Sequence, residues 1–282
     1  MKLIPIAIIL LVCGWATAQN HQPIPQGSSL PGMSSMPMGM NGPGFLELGG
    51  SYFNVTGSSP RWDDAYANAL ISGGRNAVSG QLSRQNRYGD TGWYYGFGWT
   101  RVWSENWYSE LDFGTSTVQG FFLPKVRTDA LINRKLLPRK QLVLQLGAGY
   151  DLSKRVNGTP VANSDYRGQV GAIYYFERPW IVQGGAIFTH ASPGNILAPA
   201  GYVAVTRGHV KEHYLTARAN FGREGYEIFS AGQTIFNFPF QDYSVNWRQW
   251  MAPNWGFSAT AEYESKPIYH RLGGTIGLFL DF

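Results

Sequence analysis

The chain has 282 residues, of which 15% are charged and 15% aromatic, with 35 glycines and a formal net charge of +5. Few charges combined with many aromatics and glycines are typical of short strands joined by tight turns. After the first 20 residues, no apolar run approaches the roughly 18 residues that a membrane helix requires. A membrane protein of this composition must be a closed barrel, since only helices and closed barrels satisfy every backbone group in lipid.

The N-terminal stretch predicts a cleaved secretion signal over residues 1–18. Lys2 supplies a positive start, a short apolar core follows, and a small-x-small cleavage site ends at Ala18. A lipoprotein signal is the alternative because Cys13 follows the apolar core, but the bulky Val12 before it fits that processing poorly. Cys13 is the sole cysteine of the chain, so the mature protein is expected to form no disulfide.

Residues 19–44 predict a disordered periplasmic linker, because they are rich in Pro, Gly, Ser and Met and lack apolar periodicity. Four of the six methionines fall within residues 33–40. Thioethers at such spacing can bind Cu(I), but soft ligands alone do not make a rigid site. We therefore predict no metal site and no cofactor.

From Phe45 onward the sequence predicts strand after strand. In residues 93–99, Trp93, Tyr95 and Phe97 lie on one face, and small or polar residues lie on the other. The same alternation recurs in 107–113, 142–152, 168–176, 214–221, 243–251, 255–264 and 269–282. Trp and Tyr flank the apolar face while Gly and both charge signs occupy the other, as in a lipid-facing band with aromatic girdles around a polar lumen. A soluble sandwich is the alternative, but it would leave the apolar last strand as a bare edge.

The turns predict an all-β fold, a transmembrane antiparallel up-and-down β-barrel of 14 strands over residues 45–282, with 12 strands as the alternative. The least distinct strands are those near 61–71, 75–86 and 197–206. Short turns alternate with longer connections near 56–60, 87–91, 117–124, 153–161, 191–197, 225–240 and 265–268. An even strand number places both mature termini in the periplasm of an outer-membrane barrel. We expect the last strand to pair with the first near 45–55, and Phe282 to be the assembly signal read by the barrel-insertion machinery.

Several short motifs of the barrel region form a recognisable set. They are Leu46-Glu47-Leu48-Gly49-Gly50, Phe122-Leu123-Pro124, Leu146-Gly147-Ala148-Gly149-Tyr150, the Tyr174-Tyr175 pair with Trp180, and Tyr269-His270-Arg271-Leu272-Gly273. On these motifs the sequence resembles the YaiO family of outer-membrane β-barrels over about residues 45–282. The resemblance implies an outer-membrane location and a connection with exopolysaccharide synthesis and export. It supplies no catalytic motif, and the chain has none of the TPR-like helical segment that precedes some related barrels.

The polar strand faces predict a set of charged residues that line the lumen. The candidates are Glu110, Asp112, Asp151, Arg167, Arg218, Arg248, Glu262, Glu264 and Arg271. They could line a water-filled path for a polar solute or neutralise one another across a closed lumen, and the sequence does not separate these possibilities. Fourteen strands would leave more room than an eight-stranded barrel filled by side chains.

The predicted loop 225–240 adds a group of aromatic side chains. They are Tyr226, Phe229, Phe236, Phe238 and Phe240. Such rings could stack on sugars along a glycan path, or they could pack the loop onto the barrel mouth or sit in the outer girdle.

The preferred function is a passive pore or accessory channel for a polar solute, with exopolysaccharide export as the context. A closed structural or assembly barrel is the first alternative, and a lipid-modifying enzyme is the second. His190 and Ser192 are the nearest approach to a catalytic pair, but their i, i+2 spacing rarely brings two side chains into contact, so we predict no catalytic residue. Expected partners are outer-membrane lipid and lipopolysaccharide, the insertion machinery and a polysaccharide or envelope-export protein. Nucleic acid is not expected, because no run of Lys and Arg is present.

Overall fold

A computed structural model describes residues 44–56, 61–154, 163–177, 179–192, 195–228, 234–267 and 269–282. The predicted signal peptide and linker lie outside these residues, apart from Gly44, which begins the first strand one residue before the predicted boundary. Within the described residues, no helix is long and apolar enough to cross a membrane.

Fourteen antiparallel strands form one closed barrel in sequence order. The strands are β1 (Gly44–Val55), β2 (Arg61–Gly73), β3 (Asn76–Arg87), β4 (Asp90–Val102), β5 (Trp107–Ser116), β6 (Val126–Leu136), β7 (Leu142–Leu152), β8 (Ser164–Tyr175), β9 (Trp180–Ser192), β10 (Ile196–His209), β11 (His213–Ile228), β12 (Thr234–Ala252), β13 (Trp255–Lys266) and β14 (Tyr269–Asp281). The barrel closes where β14 pairs with β1, from Phe45↔Asp281 to Val55↔Arg271. The 14-strand prediction is confirmed, including its three least distinct strands, and the 12-strand alternative is wrong.

Alternation along each strand separates an apolar outer surface from a polar lumen. On β14, Ile276 and Leu278 are exposed on the outer surface, whereas Thr275 before them and Phe279 after them are buried inside. The outer band carries the aromatic residues predicted for it, such as Trp93, Trp107, Trp247 and Trp255. Closure removes every sheet edge along the wall, so the backbone polar groups pair with neighbouring strands rather than with lipid.

The two ends of the barrel differ in their connections. One end carries Gly44 and Phe282 and is called the terminal end; the other is called the loop end. The predicted long connections near 87–91, 191–197, 225–240 and 265–268 are wrong in length, because the strands continue into them. For example, only Tyr88 and Gly89 separate β3 from β4, and both have positive φ (54° and 76°), as a tight two-residue hairpin requires.

Lumen glycines make room for rings that lie flat against the wall. A Cβ at Gly49 or Gly277 would stand 2.4 or 2.5 Å from the Tyr66 hydroxyl, so glycine is required on both sides of that side chain. Tyr94 likewise covers Gly114. Packing of an aromatic ring over a neighbouring glycine replaces the contacts that the missing side chain would make.

Candidate functional site: the barrel lumen

All nine charged residues predicted to line the lumen lie on inward-facing positions of their strands. Among the described residues, and apart from Asp90, Lys154, Lys211 and Asp281 at the two rims, the lumen carries eleven carboxyl groups: Glu47, Asp64, Glu110, Asp112, Asp129, Asp151, Asp165, Glu224, Asp242, Glu262 and Glu264. It carries eight basic groups: Arg87, Arg127, Lys135, Arg167, Arg218, Arg248, Lys266 and Arg271. The lumen is therefore acidic, although the whole chain has a formal net charge of +5.

A group of five paired charges fills one sector of the loop end; we call Glu224, Glu262, Glu264, Lys266 and Arg271 the loop-end cluster. Arg271 pairs with Glu262 and, through Nε, with Glu264 at 3.0 Å. Lys266 Nζ lies 2.5 Å from Glu224 Oε2 and 2.9 Å from Glu264 Oε1. The side chains of Lys266, Glu224 and Glu264 are all 0% exposed. Charges this deeply buried are tolerated only because they are paired.

Aromatic rings enclose this cluster on the side of β1–β3. Arg271 Cζ lies 4.4 Å from the Phe53 ring centroid, and the buried Trp62 packs edge-on against Tyr269 with ring centroids 5.5 Å apart. Arg87 pairs with Asp64 at 3.2 Å and lies 5.6 Å from the centroid of Trp62. The rings exclude water, so they strengthen the electrostatic interactions that they cover.

The connection between β5 and β6, loop 117–125, folds into the mouth of the barrel at the loop end. Phe122 is 0% exposed, and Arg87 Cζ lies 5.6 Å from its ring centroid. The loop is held by the Asp90 carboxylate, which accepts hydrogen bonds from the backbone N–H groups of Gly120 and Phe121, both at 2.9 Å. This inward loop carries the Phe122-Leu123-Pro124 motif noted in the sequence.

A second anchor of loop 117–125 comes from Lys154. Its Nζ donates to the backbone oxygens of Gln119 at 2.8 Å and Gly120 at 2.6 Å. Burial of the ammonium group lowers the pKa of Lys154 to about 8, and the charge of Asp90 opposes that shift. Both anchors bind the loop backbone near Gly120, and Ser116 and Thr115 of β5 donate to the backbone oxygens of Pro124 at 2.7 Å and Lys125 at 2.8 Å at its other end.

The prediction that residues 225–240 form a loop is wrong, because β11 extends to Ile228 and β12 begins at Thr234. Tyr226 lies in β11 and Phe236, Phe238 and Phe240 lie in β12, while Phe229 is outside the described residues. Residues 223–228 and 234–240 pair with each other alone, beyond the last partners in β10 and β13, and are called the β11–β12 ribbon. Phe238 and Phe240 are buried, and the Phe240 ring centroid lies 6.0 Å from Lys266 Nζ. These two rings pack over the loop-end cluster and present no open surface.

A separate charge network lies on the wall formed by β6, β7 and β8. Arg167 pairs with both Asp129 and Asp151. Arg127 lies 2.7 Å from Asp129 and 3.9 Å from Asp151. The two guanidinium groups thus bridge two carboxylates on neighbouring strands and fix their positions along this wall.

The terminal end is filled mainly by apolar and aromatic side chains. Tyr108, Val143, Ile173, Ile181 and Tyr202 form one buried cluster on β5–β10. A second cluster joins Tyr214, Trp250 and Phe279 on the other side of the lumen. Every member belongs to a strand of the wall, so this filling is part of the barrel itself.

Glu47 connects four strands near the terminal end. Its carboxylate accepts hydrogen bonds from Tyr66 Oη at 3.0 Å, Ser258 Oγ at 2.8 Å and Arg248 at 2.6 Å. Arg248 Cζ also lies 3.5 Å from the Phe279 ring centroid. Arg248 therefore has both a carboxylate and an aromatic partner, which the sequence did not indicate.

The middle of the lumen remains accessible between these filled ends. Asp112 is exposed, although Glu110 and Gly114 on the same face of β5 are buried. Its Cα partners are Gly98 on β4 and Asp129 on β6. The Asp112 carboxylate lies over Gly98, where a Cβ would stand 2.7 Å from its Oδ1. Asp112 thus projects into the part of the lumen that water can reach.

Sequence reasoning missed several functional candidates. Glu47, Asp64, Arg87 and Asp129 lie on strands whose alternation was not followed residue by residue. In β6 a signal was present, since buried Asp129, Leu131 and Asn133 alternate with exposed positions. Glu224 and Lys266 were missed because β11 and β13 were expected to end before them.

Phe282 lies at the terminal rim and His190 at the loop end of the barrel. Phe282 exchanges backbone hydrogen bonds with Gly44, both at 3.0 Å, and its side chain is exposed at the terminal rim. His190 Nε2 lies 2.5 Å from Asn195 Oδ1 at the loop end. No group of three or more His, Cys, Asp or Glu side chains suited to a metal ion occurs among the residues that the structure describes.

Comparisons with known proteins agree with this architecture. The YaiO membrane beta barrel domain family matches residues 46–227. No curated protein matches the sequence. The CymD monoaromatic hydrocarbon channel has a similar structure, with a TM-score of 0.58 and 8% identity over 86% of this chain and 89% of that chain. The outer membrane protein Omp33 of Acinetobacter baumannii has a TM-score of 0.48 and 12% identity, over 86% of this chain and all (100%) of that chain.

At such low identity the similarity to solved structures concerns the fold alone. The family match covers more than half of the chain and includes the strands that carry Glu47, Asp112 and the β6–β8 charge network. The chain belongs to the YaiO family of membrane β-barrels.

Proposed function

We propose that this barrel is a channel for small polar or ionic solutes and is closed in the described conformation. The observation that carries the proposal is the water-accessible middle of the lumen, where Asp112 is exposed between two filled ends. A closed structural barrel can use paired charges in its interior, but it has no need of a water-accessible carboxylate such as Asp112. Fourteen strands lie between the eight of barrels filled by side chains and the 16–18 of open porins.

Loop 117–125 is the element best suited to open the channel. Its displacement would break the two hydrogen bonds to Asp90 and the two from Lys154. The bonds from Ser116 to the Pro124 oxygen and from Thr115 to the Lys125 oxygen would also break. The ladders between wall strands would stay intact. The energetic cost is small compared with that of opening the wall, because each such bond contributes about 0.5–1.5 kcal/mol, or 1.5–3 with a charged partner. Movement of the β11–β12 ribbon, which pairs only with itself beyond the wall, would widen the opening further.

Conductance of the purified full chain in planar bilayers tests the channel proposal. We expect brief, infrequent openings for the unchanged protein and more frequent openings after Phe122→Ser, which removes the ring from the mouth. Lys125→Ser, in the same loop but exposed, is the matched control and should leave conductance unchanged. Absence of conductance from every variant, with heat-modifiable migration showing that each is folded, would contradict the proposal.

A closed structural barrel is the second candidate, and the loop-end cluster favours it. Four charged side chains there, Glu224, Glu264, Lys266 and Arg271, are almost completely buried, as expected for permanent ion pairs. This role predicts no conductance together with increased leakage of periplasmic contents when the barrel is deleted. The channel proposal predicts conductance and little leakage.

The exopolysaccharide connection is a finer proposal that rests on the family resemblance. A polymer would require the side chains of both filled ends to move at once, whereas a small solute needs a narrower path. Phe238 and Phe240, two of the rings that could have stacked on sugars, are buried. We therefore favour a small solute as cargo, with no catalytic activity. Secretion of polysaccharide that stops on deletion and resumes with the unchanged chain would favour the polymer.

We further propose that both mature termini face the periplasm and that Phe282 is the signal for assembly. A polysaccharide or envelope-export protein remains a candidate partner on that side, beside membrane lipid and lipopolysaccharide around the wall. The exposed Phe282 ring at the seam between β1 and β14 supports the assembly role. Deletion of Phe282 should lower the amount of heat-modifiable barrel in the outer membrane. Phe282→Tyr keeps an aromatic terminus and should restore assembly.

A further inference from the structure

We propose that the lumen selects for cations and that Asp112 is its selectivity-determining residue. This inference rests on the proposed channel function and specifies its substrate class. It starts from the charge distribution: among the residues that the structure describes, the lumen between the rims holds three more carboxyl groups than basic groups, although the chain as a whole is basic. Exposed basic residues such as Arg84, Arg134 and Arg207 lie on the outer side of the wall.

The lumen bases are already engaged by carboxylates or rings. Arg167, Arg248, Lys266 and Arg271 each have an ion pair. Arg218 Cζ lies 4.5 Å from the Tyr202 ring centroid, and its Nε donates to Asn220 at 2.7 Å. Because their charges are compensated locally, these groups contribute little field to the open part of the lumen, and an anion would find few donors there.

Two carboxyl groups are compensated much less. Asp112 is exposed, and no hydrogen bond or ion pair to its side chain is found within the described part of the chain. Its nearest basic neighbour along the wall, Arg127, is engaged by Asp129 at 2.7 Å. Asp242 is 4% exposed, and its Oδ1 has no hydrogen-bond partner within the described ranges. A buried carboxylate oxygen without a partner is costly, and a cation in the lumen would remove that cost.

The surroundings of these carboxyl groups reinforce the preference for cations. Asp129 lies opposite Asp112 across the β5–β6 ladder, and Glu264 lies opposite Asp242 across the β12–β13 ladder. Asp129 and Glu264 each engage two basic groups, so those bases are not free to compensate Asp112 and Asp242. Carboxyl groups on a low-dielectric wall concentrate counter-ions in the space between them, and side-chain carboxylates confer cation selectivity on other pores. Asp112 is the one of these groups that water reaches, so a permeating ion would meet it directly.

The inference is tested by the reversal potential of the full chain in a planar bilayer with a tenfold KCl gradient. We expect K⁺ to permeate in preference to Cl⁻, and D112N to lower the permeability ratio by roughly twofold or more, as for a carboxylate in a selectivity region. The matched control is D63N, which removes the same charge from the outward-facing side of β2 and should leave the ratio unchanged. D112E retains the charge and should restore cation preference.

Each outcome decides between distinct conclusions. Conductance with equal K⁺ and Cl⁻ permeability, or with anion preference, would overturn cation selectivity and leave the channel proposal standing. Cation preference that is the same in D112N would overturn the role of Asp112 alone. Absence of conductance from every folded variant, including Phe122→Ser, would overturn the channel and this inference together.

Discussion

The two ends of the lumen are filled by different chemistry and by different parts of the chain. At the loop end, buried ion pairs are covered by a loop and by a ribbon that extends beyond the wall. At the terminal end, apolar and aromatic side chains project directly from wall strands. The covering loop can leave without disturbing the barrel, whereas the ion pairs beneath it and the terminal-end clusters belong to strands and stay in place. The difference indicates that the loop end is the movable closure and that the terminal end stabilises the fold.

The largest effect is expected from Arg271→Ala in the loop-end cluster. It would leave Glu262 and Glu264 without their shared partner, and breaking a buried pair in this way costs about 3–5 kcal/mol. The free energy of unfolding from urea titration in detergent or lipid measures this loss. Arg61→Ala is the control, since its pair with Asp63 is 4.0 Å long and 65% exposed on the arginine side; it should change stability by less than about 1 kcal/mol. Equal losses in the free energy of unfolding for Arg271→Ala and Arg61→Ala would mean that the buried network is not important for stability.

A second test removes a ring from the terminal end. Phe279→Ala should cost about 3 kcal/mol, because it leaves a cavity beside Arg248 and Trp250. We expect the frequency and duration of channel openings to stay the same, since this filling does not move. Leu278→Ala, on the lipid side of the same strand, should destabilise less because lipid fills the space. A large rise in open time for Phe279→Ala would mean that the terminal end also takes part in closure.

A third test releases loop 117–125 alone. Asp90→Ala removes the acceptor for Gly120 and Phe121 and should weaken docking of the loop by about 1–3 kcal/mol. Hydrogen exchange of these two amides should accelerate accordingly, while exchange along β5 and β6 stays slow. Asp90→Asn retains one acceptor oxygen and should have a smaller effect. If Asp90→Ala leaves the hydrogen-exchange rates of the Gly120 and Phe121 amides unchanged, Asp90 does not hold the loop.

The smallest effect concerns Lys154 and pH. Its pKa is lowered from 10.5 to about 8 in the docked loop, so the undocked state binds more protons between these values. Docking should therefore become more favourable as pH rises from about 8 to 10.5, by less than about 1 kcal/mol because the group is only partly buried. Open probability should fall slightly over that range, and Lys154→Met should remove the change. A rise in open probability as pH increases over this range would contradict the predicted direction of the change.

The sequence could predict the strands and their two faces because that information is local. Alternation in 93–99 and 269–282 identifies which side meets lipid, and the pairing of Arg271 with Glu262 and Glu264 follows from neighbouring strands. The length of β11 and β12 could not be predicted, since Gly225, Asn237 and Pro239 read as turn residues until their partners are known. The partners of Arg248 and Lys266 depend on strands that are distant in sequence, and so does the inward course of loop 117–125.

The β11–β12 ribbon has a further consequence for behaviour in a crowded membrane. Beyond Gly222 and Gln241 it has no neighbouring strand, so its two edges could in principle add strands from another molecule. Pro239 offers no N–H on one of these strands, and Arg223 places a charge on the other, held to Asn237 by a 2.7 Å hydrogen bond. Both residues disfavour edge-to-edge association. Replacing them with Val and Thr should favour pairing of the ribbon edges between two copies of the barrel.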